Sequence, residues 1–136
     1  MYDWLRKILK KENGTYWPDG EIPSPVLLCS ATKHYSIPKG LSLLGFGEDN
    51  VHPIQVDKNS RMSTEKLRLK LTECLNTKTP VLVVTGIVGT TEESVVDNLE
   101  DIYALKNEFA AKGLYFHYHI DAAYGAYFCS MLRKKS

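Results

Sequence analysis

The residues of this chain best suited to chemistry stand in three short runs. The first is YFHYHIDAAYG, residues 115–125, in which His117, His119 and Asp121 alternate with bulky neighbours. A strand has a side-chain period of two, so these three point to one face. Two imidazoles and a carboxylate could hold zinc or iron, as in a metal-dependent hydrolase. Same-face residues on a strand lie roughly 6.5–7 Å apart. Ligands about 2 Å from a metal therefore converge readily from two such positions and only with strain from three. A second use of the run needs Asp121 alone. A carboxylate at a buried strand end requires a cation or several donors. The alanines after it leave room for a flat ring whose protonated nitrogen would serve. The second run is ATKHYS, with His34 placed to stack on such a ring. The third is GTTEES, where Thr90 and Thr91 are either turn residues or donors.

These runs need strands to place them, and the pattern supplies strands. VLLCS, VHPIQVD, the continuous apolar PVLVVTGIVG and YFHYHI read as four strands, with VHPIQVD at an edge because Pro53 cannot donate to a ladder. Between them lie a brief helix or turn over IPKGLSLLGFG, a helix over STEKLRLKLTECL and a helix over DNLEDIYALKNEFAAKG. Ser63 or Thr64 caps the second helix, and Leu67, Leu71, Cys74 and Leu75 form its apolar face. In the third, Asp97 followed by Glu100 resembles a capping box, Leu99, Ile102, Leu105 and Phe109 face inward, and Gly113 is the stop. Strands alternating with helices imply a mostly parallel α/β sheet with helices on both faces. In such sheets ligands bind beyond the carboxyl ends of the strands, where His34, Thr90, Thr91 and Asp121 all fall.

The 136 residues suit one domain, with residues 1–25 reading as an amphipathic helix and a loop ahead of it. A net charge of +1 gives no reason to expect nucleic acid or an acidic membrane as partner. The N-terminus is too charged for a signal peptide, and no apolar run reaches the roughly 18 residues of a membrane span. Three widely spaced cysteines form no C-x-x-C pair and read as reduced thiols, which together predict a cytoplasmic protein.

KHYSIPKGLSLLG, VVTGIVGTTEESVVDNL and FHYHIDAAYGAY, in this order over residues 26–127, resemble the pyridoxal-phosphate-dependent group II amino-acid decarboxylases. The VGTTEE and RMSTEKL stretches look most like the tyrosine-decarboxylase-type branch. The resemblance implies the large domain of the fold-type I, aspartate-aminotransferase-like enzymes, with pyridoxal 5'-phosphate as cofactor. It implies loss of the α-carboxylate from an aromatic, tyrosine-like amino acid, and a homodimer at full length. Residue by residue, His34 matches the family histidine that stacks on the ring and lies near the substrate. Asp121 matches the aspartate at the ring nitrogen, Ala123 the alanine on the opposite ring face, and Thr91 the threonine near the ring.

Three departures accompany the match. The family holds its covalent lysine in a His-Lys pair well beyond the Asp-Ala-Ala motif, whereas CSMLRKKS has Lys134 and Lys135 without that pair. The family's Gly-Gly-Thr-type phosphate turn lies upstream of the His-Tyr-Ser motif, and MYDWLRKILKKENG contains none. Tyr-Gly-Ala replaces the usual Tyr-Gly-Gly. The expectation is an internal piece of the large domain, not competent alone for decarboxylation. The alternatives are a non-catalytic remnant or binding module, and the metal-dependent hydrolase built on His117, His119 and Asp121.

Overall fold

The computed structural model describes residues 23–132. The helix expected near the N-terminus lies outside them. Four strands form one sheet: β1 (Val26–Ser30), β2 (Val51–Ile54), β3 (Val81–Ile87) and β4 (His117–Asp121). Their order is β2-β1-β3-β4, and every ladder is parallel. Pro53 does sit on an edge strand, and β2 ends at Ile54, short of Asp57, with Val56 bridging back to Met62 instead.

The connections are helical. α1 (Ser36–Leu43) joins β1 to β2, α2 (Thr64–Asn76) joins β2 to β3, and α3 (Leu99–Ala111) joins β3 to β4. A short α4 (Ala126–Cys129), not anticipated from the pattern, comes after the last strand. The chain leaves β1 toward one edge and returns past it to β3 and β4. Right-handed crossovers taken in opposite directions put their helices on opposite faces. Accordingly Leu41 of α1 packs with Leu27, Cys29 and Val51 on one face. On the other face, Leu67 and Leu71 of α2 and Ile102 and Phe109 of α3 pack on Leu28 and Val84. β1, at the centre, is buried at all five positions.

Local chemistry agrees with these boundaries. Ser63 is the N-cap of α2, and its Oγ accepts the Lys66 N–H at 3.3 Å. Ser63→Ala is expected to cost about 1 kcal/mol, measurable as a small fall in denaturation midpoint without loss of cooperativity. α3 stops where Gly113 takes φ +88°, a left-handed value that suits glycine. The expected capping box does not form. Asn98 is the N-cap of α3, and Asp97, one residue earlier, is buried and turned into the fold.

Tyr118 decides which way β4 faces. Its ring packs on the α2/α3 core, and its hydroxyl donates to the Leu99 carbonyl at 3.2 Å. Burial, with a smaller push from Asp97, raises that phenol to about 12. Alternation then turns His117, His119 and Asp121 to the α1 face, in register with Val83, Thr85 and Ile87 of β3.

Candidate functional site

The chain leaves β1 one way and β3 the other, so a crevice opens between their carboxyl ends. Three connections reach it. Thr32, His34 and Ser36 come from the turn after β1, Gly89, Thr90 and Thr91 from the turn after β3, and Asp121, Ala123 and Tyr124 from the end of β4. The cleft has a volume of about 300 Å³, at the small end of the range for ligand sites. His34, Thr91, Asp121 and Ala123, spread over ninety residues of chain, all line it. His34 and Thr91 also line a neighbouring hollow of about 490 Å³ with Lys33, Tyr35, Glu92 and Glu93, so they stand between the two spaces.

His34, Thr90 and Asp121 each have an identifiable support. The Ser36 backbone N–H, which can only donate, lies 3.3 Å from His34 Nδ1. Nδ1 is therefore an acceptor, and the neutral ring carries its proton on Nε2. Ser36 Oγ, 2.9 Å from the same nitrogen, completes the arrangement, and the His34 ring leans on Tyr35 with centroids 4.2 Å apart. The two threonines divide their work. Thr90 is buried, its Oγ1 accepts the Val95 N–H at 3.1 Å, and it holds the turn. Thr91 is exposed, and its hydroxyl bonds to no described residue.

Asp121 is half-buried. Oδ1 accepts the Ala123 N–H at 3.3 Å in a local turn. Among the described residues no lysine or arginine forms an ion pair with it. A carboxylate so placed, at a parallel-sheet rim beside a methyl-sized side chain, fits a cationic nitrogen on a flat ring. His117 and His119 share its face but are solvent-exposed. Among the described residues no three His, Cys, Asp or Glu side chains gather as a metal set. Cys29 and Cys74 are buried free thiols. Burial pushes Cys29 up to about 12 against the opposing pull of Lys33.

The strand-end rule picked out His34, Thr91 and Asp121; Thr32, Ser36 and Tyr124 stand in the same runs past the strand ends and were not singled out within them. The spacing of His34 and Ser36, which lets an imidazole accept from the second backbone N–H ahead, was the available sign for Ser36. Asp97 gave a misleading sign. Its Oδ1 accepts the Met62 N–H at 2.7 Å and its Oδ2 the Ile87 N–H at 2.9 Å. Burial raises its carboxyl above the ordinary range, partly offset by those two N–H donors.

A wholly parallel sheet, helices on both faces and a cleft beyond the carboxyl ends of the strands define a doubly wound α/β domain with a ligand-sized crevice where such sheets bind. Comparison makes this specific. The family model described as "Pyridoxal-dependent decarboxylase conserved domain" matches residues 2–136. The chain is 42% identical over 100 residues to an L-tyrosine decarboxylase of Levilactobacillus brevis and 43% identical over 100 residues to that of Enterococcus faecalis. Each alignment covers 74% of this chain and 16% of the relative. The crystal structure of mouse CSAD in apo form superposes with a TM-score of 0.68 at 30% identity, covering 90% of this chain and 24% of that one. The chain belongs to the pyridoxal-dependent decarboxylase family. It spans about one sixth of the length of the tyrosine decarboxylases it matches.

Proposed function

We propose that the cleft is the ring-binding half of a pyridoxal phosphate site for decarboxylating an aromatic, tyrosine-like amino acid. The observation that carries this is the position of Asp121: an acid without a basic partner among the described residues, at the carboxyl end of edge strand β4, where it lines the cleft beside Ala123. Similarity to L-tyrosine decarboxylases supports the choice of substrate. When bound, pyridoxal phosphate supplies a ring that accepts the electron pair left by departing carbon dioxide. Asp121 holds the proton on the ring nitrogen, since an adjacent negative charge favours the charged form of that group. Ala123 leaves space for one ring face. His34, which lines both the cleft and the neighbouring hollow, would cover the other and would offer its Nε2 proton to substrate entering from that hollow. Thr91 offers its uncommitted hydroxyl. A homodimer and a cytoplasmic location accompany this reading for the full-length protein. Among the described residues no helix is long and apolar enough to cross a membrane.

This chain is proposed to bind the cofactor weakly and without turnover, because no residue matches the family's covalent lysine or phosphate turn. Titration of the ¹⁵N-labelled chain with pyridoxal phosphate should move the amides of Thr91, Ala122 and Ala123 in a saturable way. Borohydride should then fix no cofactor stoichiometrically on a single lysine, and added tyrosine should release no carbon dioxide. Shifts confined to residues away from the cleft would remove the site assignment. Stoichiometric labelling of one lysine would remove the claim of incompetence.

A further inference from the structure

We propose that Asp97 is a positioning residue of the cleft, closing the neck of the loop that carries Thr91 and fixing the strand end that pairs with Asp121. Its meaning for cofactor binding rests on reading the cleft as a ring site; the geometry of the neck does not. Asp97 is 4% exposed and is the one acidic or basic side chain buried to that degree among the described residues. No described ion pair accompanies it. A buried carboxylate without a cation is costly unless its oxygens are satisfied, and here each accepts a backbone N–H.

Those two amides belong to distant segments. Met62 lies in the turn before α2, and Ile87 is the last residue of β3. Asp97 also returns a bond of its own, its N–H donating to the Ile87 carbonyl at 2.9 Å. Ile87 is thus held at both N–H and C=O by one residue. Residues 88–96 between them form a closed loop. Val88 bridges Val96, and Gly89 and Thr90 both donate to the Val95 carbonyl. Ile87 is also the ladder partner of Asp121, and the Val88 N–H donates to the Asp121 carbonyl at 2.8 Å. Only one backbone bond and one peptide separate the Asp97 carboxylate from the strand end that presents Asp121. Loss of the Oδ2 acceptor frees the neck, and the displacement reaches Thr91 along the chain and Asp121 across the ladder. Both line the cleft, and both are needed in place at once.

The test is residue-resolved amide hydrogen exchange on the whole chain as wild type, Asp97→Asn and Asp97→Ala. Asparagine keeps the shape but has a single acceptor oxygen, so one of the two amides loses its partner. In either variant, protection at residues 87–96 and 121–123 should fall by at least about tenfold, while α3 core amides at Ile102, Leu105 and Phe109 stay protected. An equal fall throughout the domain, or an unchanged rim, would overturn the proposal. If the variants do not fold, wild type in low denaturant decides it. Met62 and residues 87–96 should then open together below the global transition, and opening only with global unfolding would be fatal. Pyridoxal phosphate titrated into the same samples separates the two readings. No binding by wild type removes the ring site and leaves the exchange result to judge Asp97. Binding by wild type that survives unchanged in Asp97→Asn removes the positioning role.

Discussion

Asp121→Ala is expected to weaken binding of pyridoxal phosphate to this chain by roughly 10- to 100-fold and to leave its melting temperature almost unchanged. On the proposed ring site, the expected affinity loss follows from removing the carboxylate that would hold the ring nitrogen. A hydrogen bond to a charged group contributes about 1.5–3 kcal/mol, and each ~1.4 kcal/mol is tenfold in affinity. The small thermal effect reflects its minor part in the fold. Asp121 is half-buried, and among the described residues its side chain holds only the 3.3 Å bond to the Ala123 N–H. Its backbone, which the ladder to β3 uses, is untouched by the substitution. Asp121→Asn should weaken binding nearly as much, because an amide of the same shape carries no charge to favour a protonated ring. Calorimetric titration alongside a melting curve measures both quantities. A large thermal loss with unchanged affinity would make Asp121 a structural residue.

Gly125→Ala is the second large effect, and it acts on stability. Gly125 has φ −93° and ψ −16°, a conformation open to any residue, so its backbone alone does not demand glycine. The space does. A Cβ there would lie 2.4 Å from the Val88 carbonyl oxygen and 2.5 Å from Val88 Cγ1. The nearer atom is backbone at the end of β3 and cannot rotate away, so the turn after β4 must lift from the strand. Overpacking of this kind costs typically 1–3 kcal/mol, and a fixed backbone obstacle places this case near the upper figure. For a domain of this size about 3 kcal/mol corresponds to a fall of roughly 10 °C in Tm. Gly40→Ala is the contrasting control. It sits within α1, where a Cβ would meet nothing within 4 Å, so it should stabilise by roughly 0.5–1 kcal/mol. A melting series in which both alanines behave alike would contradict the packing argument.

Much of this arrangement was legible because few steps separate it from chain order. Four strands alternating with helices imply a parallel sheet, and a parallel sheet gathers the turns after its strands onto one rim. His34, Thr91 and Asp121 needed nothing further to be placed together. Ala123 came from the resemblance to a known family. The misses share a cause, which is tertiary contact overriding a local pattern. Asp97 and Glu100 have capping-box spacing, yet the Asp97 carboxylate finds better donors in Met62 and Ile87, thirty-five and ten residues away. Asn98 takes the cap. His117 and His119 were correctly set on the face of Asp121, but strand periodicity says nothing about whether a third element covers them. Among the described residues both are exposed. Gly125 gave no sign at all, since its requirement comes from Val88, just past the end of β3 and separated from it by a whole helix and strand.

The central claim is that Asp121 keeps the ring nitrogen of the bound cofactor protonated. The direct measurement is the ¹⁵N chemical shift of pyridoxal phosphate labelled at that nitrogen, tracked with pH in the presence of excess chain. With wild type, the protonated-ring signal should persist well above the pH at which the free cofactor loses it, and Asp121→Asn should abolish the difference. A bound cofactor that titrates like the free one with wild type, or identically with both proteins, would contradict the account.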